Sequence, residues 1–187
     1  LSDRHFQGRG VMILQFADGS RIVYKPKTLS AESSYYRLLD WFNRHGAPLP
    51  FKLLHVADRG THGWVEHVAH LPCADEEGVR RYYRRSGIFL GLIYALEATD
   101  AHLENIIACG EHPVLIDLET LMHGRPRPDA GQVDGAHELA NRQMQDSVLR
   151  TSFLPRWEFG PNGESYDISA LGGGAGMVTP FLASAWR

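Results

Sequence analysis

The sequence predicts an α+β fold: a small antiparallel sheet with one helix, followed by a mainly helical part. Two pairs of short apolar-rich runs, residues 11–16 with 21–25 and residues 51–56 with 63–68, are each joined by a Gly-bearing turn. Two longer stretches, residues 31–44 and about 75–98, place apolar side chains at helical spacing. A third pair of short runs, 106–109 and 113–117, follows the second helix.

Each element has a local reason. Asp18-Gly19 between the first two runs is a strong hairpin signal, because the turn needs φ > 0 and Gly supplies it without strain. Pro26 ends the second strand. Ser30 is the expected N-cap of the first helix, with Tyr35, Leu38, Leu39 and Phe42 on its inward face and Gly46 as its stop. Residues 58–62 form the turn of the second strand pair. In the long helix the expected inward set is Val79, Tyr83, Phe89, Leu90, Ile93 and Leu96. Glu76 and Glu77 stand four residues before Arg80 and Arg81, so the arginines through Arg84 and Arg85 read as a solvated, ion-paired face rather than a site for an acidic peptide or phosphate. Gly87 and Gly91 are expected to admit another backbone. Gly110-Glu111 is a Gly-first turn that closes the third pair. Past residue 124, Pro126, Pro128, Gly131 and Gly135 mark a loop, residues 136–150 are a helix candidate, and residues 172–176 read as a flexible glycine loop lacking dinucleotide or P-loop context.

Composition excludes several classes. The chain has 187 residues, 43% hydrophobic and 22% charged, with formal charge −3. That is enough to bury a core and too little positive charge for a general nucleic-acid binder. The longest apolar run, residues 87–95, is too short to span a bilayer. Cys73 and Cys109 have no zinc-ligand spacing and fit a reducing compartment. The chain opens on Leu1, with no signal peptide apparent, and is expected to lack its original N-terminus.

Chemistry concentrates in residues 99–120. If the hairpin closes on Gly110-Glu111, Asn105 faces Ile116 and lies beside Asp117, with Asp100 just upstream. Amide and carboxylate oxygens suit Mg²⁺, and a carboxylate five residues before the Asn can take a proton from an attacking hydroxyl. An Asp, an Asn five residues on, and a metal-binding Asp after a hairpin form the kinase division of labour. Lys25, ending a strand before a helix, occupies the place of the phosphate-pairing lysine. Glu32, seven residues later, is its candidate partner. Gly8-Arg9-Gly10 precedes the first strand where a phosphate-covering loop would sit. Taken singly, each has a plain alternative: a solvated Lys, a hydrogen-bonded core His at His102, a turn Asp.

Ser2-Asp3-Arg4-His5, Tyr24-Lys25-Pro26-Lys27, Gly63-Trp64-Val65-Glu66, Thr99 through Ala108, Pro113 through Leu121, and Asp146 through Thr151 with Leu154-Pro155 resemble the dehydratase domain of class II lanthipeptide (lantibiotic) synthetases, the LanM type. The Asp-x-His-x-x-Asn pattern also resembles lipid kinases. The resemblance, over about residues 2–175, implies a kinase-like two-lobe fold, incomplete here, with residues 1–70 as the N-lobe-like sheet and helix and 71–187 as the start of the C-lobe.

The same resemblance implies ATP-dependent phosphorylation of Ser and Thr in a ribosomal precursor peptide, followed by phosphate elimination to dehydro residues. Lys25 would hold ATP phosphates, and Asp3 and His5 belong to the phosphate-side motif. Asp100 would orient or deprotonate the substrate hydroxyl, Asn105 and Asp117 would hold Mg²⁺, and His102 and Glu119 complete the active-site motifs. Glu66 is expected either near the adenine or in a purely structural role. Implied partners are the precursor peptide, with its leader and Ser/Thr-rich core, and the rest of the synthetase, including a C-terminal cyclase domain whose Cys/Cys/His zinc site is absent here. The implied location is the bacterial cytoplasm, with association to a membrane export complex. Residues for elimination are expected beyond this chain. Two alternatives stay open: a lipid or small-molecule phosphotransferase of kinase-like fold, and a non-catalytic peptide-binding remnant.

Overall fold

A computed structural model describes residues 10–122, 135–159 and 165–172. The described chain divides into two compact units, residues 10–86 with 107–114, and residues 87–106 with 115–122, 135–159 and 165–172. The expected α+β class is present, with small antiparallel sheets and three α-helices.

The first unit is built on β1 (Met12–Gln15), β2 (Arg21–Lys25), β3 (Val56–Asp58) and β4 (Gly63–Glu66), in the order β1-β2-β4-β3 with antiparallel neighbours. The β1–β2 turn forms as expected: Gly19 has φ +85°, and the Asp18 carboxylate accepts the Ser20 N–H at 2.9 Å. Residues 51–55 are not a strand. The Asn43 side chain takes both main-chain groups of Phe51, donating Nδ2–H to its carbonyl at 2.9 Å and accepting its N–H at 2.7 Å, so pairing begins only at Val56.

Helix α1 (Ser30–Arg44) starts one residue earlier than expected, with Ser30 inside the helix rather than at its cap. Leu29 holds the cap position, and the missing side-chain cap is supplied from outside, by Asp58 Oδ1 accepting the Leu29 N–H at 3.1 Å. Glu32, Tyr35, Tyr36 and Leu39 form the buried stripe; Leu38 and Phe42 are only half-buried. Strand alternation puts Val23, Lys25, Gly63 and Val65 on one sheet face. That face approaches the start of α1 so closely that a Cβ on Gly63 would fall 2.4 Å from Leu29 Cδ1. The other face carries Ile22, Tyr24, Trp64 and Glu66, with the Tyr24 and Trp64 rings 5.0 Å apart.

Helix α2 (Glu76–Ala95) contributes to both units. In its first half the expected face is wrong: Val79 and Tyr83 are 42% and 60% exposed, while Gly78, Arg85 and Ser86 are buried. Arg80 makes the expected pair with Glu76 and also takes Glu77, whose expected partner Arg81 bonds Glu111 instead. Arg85, expected in solvent, is 2% exposed because it has acceptors: Pro50 O at 2.8 Å, Glu111 Oε1 at 3.0 Å and Glu111 O. Arg81 adds a 2.5 Å bond to the same carboxylate, and this arginine holds the Glu111 carboxyl below its ordinary pKa. Glu111 sits in the turn between β5 (Ile106–Cys109) and β6 (His112–Leu115), where Gly110 has φ +59°.

In the second unit, α2 continues with Phe89, Leu92 and Ile93 buried, and Phe89 meets Phe153 edge-on at 5.3 Å. Ala101, Ile106, Leu115 and Leu118 complete the core. An added methyl at Gly87 or Gly91 would meet no described atom within 4 Å, so the expected close approach of a backbone is absent there. The expected helix over 136–150 is two pieces, α3 (Ala136–Asp146) and a 3-10 turn Val148–Thr151. Ser147 is extended between them and caps the second piece through Oγ, which accepts the Leu149 N–H at 3.1 Å. Two three-residue strands not expected from the sequence, β7 (Trp157–Phe159) and β8 (Ser165–Asp167), pair antiparallel. The loop around Pro126, Pro128 and Gly131, and Gly173, Gly174 and Gly176, lie outside the described residues. No helix among the described residues is long and apolar enough to cross a membrane.

Candidate active site

The site in the second unit begins where α2 ends. Ala98 N–H bonds Ile93 O at 3.0 Å and Glu97 N–H bonds Tyr94 O at 3.2 Å, with Glu97 in the left-handed region at φ +58°. This paired closure turns the chain sharply, so the loop 99–105 starts immediately. Ala101 N–H bonds Thr151 O at 2.8 Å, Leu103 N–H bonds Ile168 O at 2.9 Å, and Asn105 N–H folds back on His102 O at 3.1 Å.

Within this frame the expected residues converge. Asn105 Nδ2 donates to Asp100 Oδ2 at 3.0 Å and to Asp100 O at 2.9 Å. Asp100 Oδ1 lies 3.1 Å from His102 Nε2. Both acceptors of Asn105 require its amide nitrogen, so its Oδ1 is the end chemically suited to a cation. Glu104 N–H donates to His102 Nδ1 at 3.2 Å, which places the proton of the neutral ring on Nε2, facing Asp100. The Asp100 carboxylate raises the imidazole pKa above its ordinary value, against the effect of burial, with Glu104 and Asp117 adding to it.

Ile116 N–H bonds Asn105 O at 2.9 Å, which is the register expected from the turn. Asp117 therefore leaves the hairpin beside Asn105. Its Oδ1 accepts the Glu119 N–H at 3.1 Å, and Leu118 between them is buried while Glu119 is exposed. Among the described residues no group of three or more His, Cys, Asp or Glu side chains is arranged to hold a metal ion. The donor set that is present, one amide oxygen and one carboxylate, fits Mg²⁺, which is usually held by one or two carboxylates together with substrate phosphates.

In the first unit Lys25 ends β2 and pairs with Glu32 Oε1 at 3.3 Å, both buried, and Lys27 stands 3.7 Å from the same oxygen. The candidate partner of Lys25 is thus the residue in the first turn of α1. Glu66 lies on the opposite sheet face from Lys25, bonded to Lys52 Nζ at 3.4 Å and accepting the His55 N–H at 3.2 Å. Asp3, His5 and Gly8-Arg9 lie outside the described residues.

A protein family described as a domain of unknown function, DUF4135, matches residues 1–187. The chain belongs to the DUF4135 family. This is a domain associated with LanM-type, class II lanthipeptide synthetases. The DUF4135 chain is similar to the lacticin 481/lactococcin biosynthesis protein LcnDR2 of Lactococcus lactis subsp. lactis, at 36% identity over 73% of this chain. It spans only 16% of that relative's length.

One part of this DUF4135 site escaped the sequence reading. The segment pairing with the loop is Ile168–Ser169, through Leu103 N–H to Ile168 O and a bridge between His102 and Ser169. The available signal was Asp167-x-Ser169, an Asp two residues before a Ser whose N–H it accepts at 2.9 Å.

Proposed function

We propose that this chain carries the phosphorylation core of an ATP-dependent dehydration of Ser and Thr residues in a lanthipeptide precursor. The observation that carries this reading is the Asp100 carboxylate shared between Asn105 Nδ2 and His102 Nε2, a base held in a defined orientation five residues before a candidate metal ligand. Homology to a lantibiotic biosynthesis protein supports the pathway, and the intact Lys25–Glu32 pair supports the kinase-like fold.

In this reading Asp100 accepts the proton of the peptide hydroxyl as its oxygen attacks the γ-phosphorus. The bond from that phosphorus to the β-phosphate oxygen breaks, and ADP leaves. Asn105, bonded to both the main chain and the carboxylate of Asp100, keeps the base in place. His102 donates from Nε2 to the other carboxylate oxygen and limits its rotation. Lys25, neutralised and oriented by Glu32, binds nucleotide phosphates, with Asp3 and His5 on the phosphate side. Asn105 Oδ1 and Asp117 would hold Mg²⁺, which when bound neutralises phosphate charge. Glu119 joins the same motif next to Asp117. Elimination of phosphate from the phosphorylated residue, with loss of its α-proton, then yields the dehydro amino acid. The proposed partners are the precursor peptide and the remainder of a synthetase with a C-terminal cyclase domain, in the bacterial cytoplasm.

The test uses the full-length protein that carries this chain, with precursor peptide, ATP and Mg²⁺, followed by peptide mass. Asp100→Asn is expected to lower phosphorylation by about 10²–10⁴-fold, the usual loss on removing a general base, with nucleotide affinity retained. Asp117→Ala is expected to lose Mg-ATP binding. Unchanged nucleotide affinity in Asp117→Ala, or a wild type that phosphorylates only lipids or small molecules, overturns the reading.

A further inference from the structure

The stretch 167–172 is used by none of the chemistry above, yet it is more tightly built than a surface connection requires. Asp167 and Ser169 are 4% and 2% exposed. Asp167 Oδ1 accepts the N–H groups of Ser169 at 2.9 Å and Arg156 at 3.3 Å, and Ser169 Oγ accepts the Gly172 N–H at 2.9 Å. A Cβ on Gly172 would lie 1.8 Å from Asp167 Oδ2 and 2.5 Å from Ser169 Oγ, so a backbone without a side chain rests directly on the carboxylate. Far from being merely a flexible glycine loop, this end of it closes a knot.

The knot is continuous with the candidate site, inside the same unit. Between Asp167 and Ser169, the Ile168 carbonyl takes the Leu103 N–H at 2.9 Å, and Ser169 bridges His102. Leu171 N–H also bonds Phe153 O at 3.0 Å, while Ala101 N–H is held by Thr151 O, so the loop is gripped on both sides of His102. Carboxylate-to-N–H bonds are charge-assisted and stronger than neutral ones. Asp167 thus fixes the strand segment against which the main chain of His102 and Leu103 is laid.

We propose that Asp167 is a positioning residue for the Asp100–His102 pair, acting through Ile168–Ser169 and the Leu103 main-chain bond. Its catalytic consequence rests on the phosphotransfer reading; the mechanical coupling does not. The experiment is amide hydrogen exchange in the full-length protein that carries this chain, for the wild type, Asp167→Ala and Asp167→Asn. Alanine is expected to speed exchange at Leu103 by about tenfold or more, with the β1–β4 amides unchanged. Asparagine keeps an acceptor oxygen and is expected to stay within about threefold of wild type. Unchanged Leu103 exchange in the alanine variant overturns the proposal. If alanine removes protection throughout the second unit, Ser169→Ala decides: faster Leu103 exchange supports the coupling, and unchanged exchange overturns it. In the full-length protein, Asp167→Ala is expected to lower kcat for phosphopeptide formation with KM for ATP within about twofold. A wild type that makes no phosphopeptide refutes the phosphotransfer reading and leaves the exchange result standing.

Discussion

Asp100 has two carboxylate oxygens and two neighbours that claim them, and the identity of each neighbour sets what the carboxylate can do. Asn105 is neutral at every pH, so its bond to Oδ2 only orients. His102 can gain a proton, and then its bond to Oδ1 becomes an ion pair. Because the folded pKa of His102 is raised, its contribution to stability is fully present below about 6.5, the ordinary value, and is lost as pH rises through the folded value. His102→Gln is therefore expected to destabilise the chain more at low pH than above the folded pKa, as read by urea midpoints across pH. A difference that grows with rising pH would contradict the pairing. Exposure of Asp100 keeps this effect small in absolute terms.

Helix α2 shows at the scale of an element what a pattern of residue types conveys and what it omits. Gly87 and Gly91 lie on an exposed helical face where an added methyl would meet no described neighbour within 4 Å, so Ala at each is expected to stabilise by about 0.5–1 kcal/mol through helix propensity, measured by denaturant unfolding. Arg85 is the opposite case: Arg85→Met is expected to cost about 1–3 kcal/mol, because the carbonyls of Pro50 and Glu111 and the Glu111 carboxylate lose a buried, charged donor. Apolarity alone puts Val79 and Tyr83 on the inward face, yet both are exposed, because the burial of Arg85 depends on acceptors far along the chain that periodicity cannot register. The β5–β6 hairpin was readable because its register is local to Gly110-Glu111; β7 and β8 were not. Strands of three residues are too short for alternation to mark them, and these two are seen only through their pairing with each other, Trp157 opposite Asp167. Of the candidate site, Asp100, Asn105 and Asp117 were visible through spacing. Glu32 sits in a first turn where spacing is ambiguous, and Asp167 acts only through tertiary bonds.

For the whole molecule, the fraction of its relative that the chain covers governs what it can do by itself. With Lys25, Asp100, Asn105 and Asp117 all present, the 187-residue chain is expected to bind Mg-ATP weakly and not to complete dehydration. Calorimetric titration with Mg-ATP and mass analysis of a treated precursor peptide check the two halves, and loss of water from the peptide with this chain alone would refute the second.

The closure at Glu97 bears on where the polypeptide tolerates lengthening. Between the last turn of α2 and Asp100 there is no slack: Ala98 is tied to Ile93, Leu96 O takes the Met122 N–H at 2.8 Å, and Thr99 O takes the Ser152 hydroxyl at 3.2 Å. From Asp100 to Asn105 the loop is closed on itself by the Asn105 side chain. An extra residue anywhere in this stretch must break one of those ties, so the five-residue interval behaves as a ruler. The exposed turn at Asp18-Gly19, closed only by bonds among its own neighbours, has no such constraint and is the natural place to graft an affinity tag or a reporter peptide.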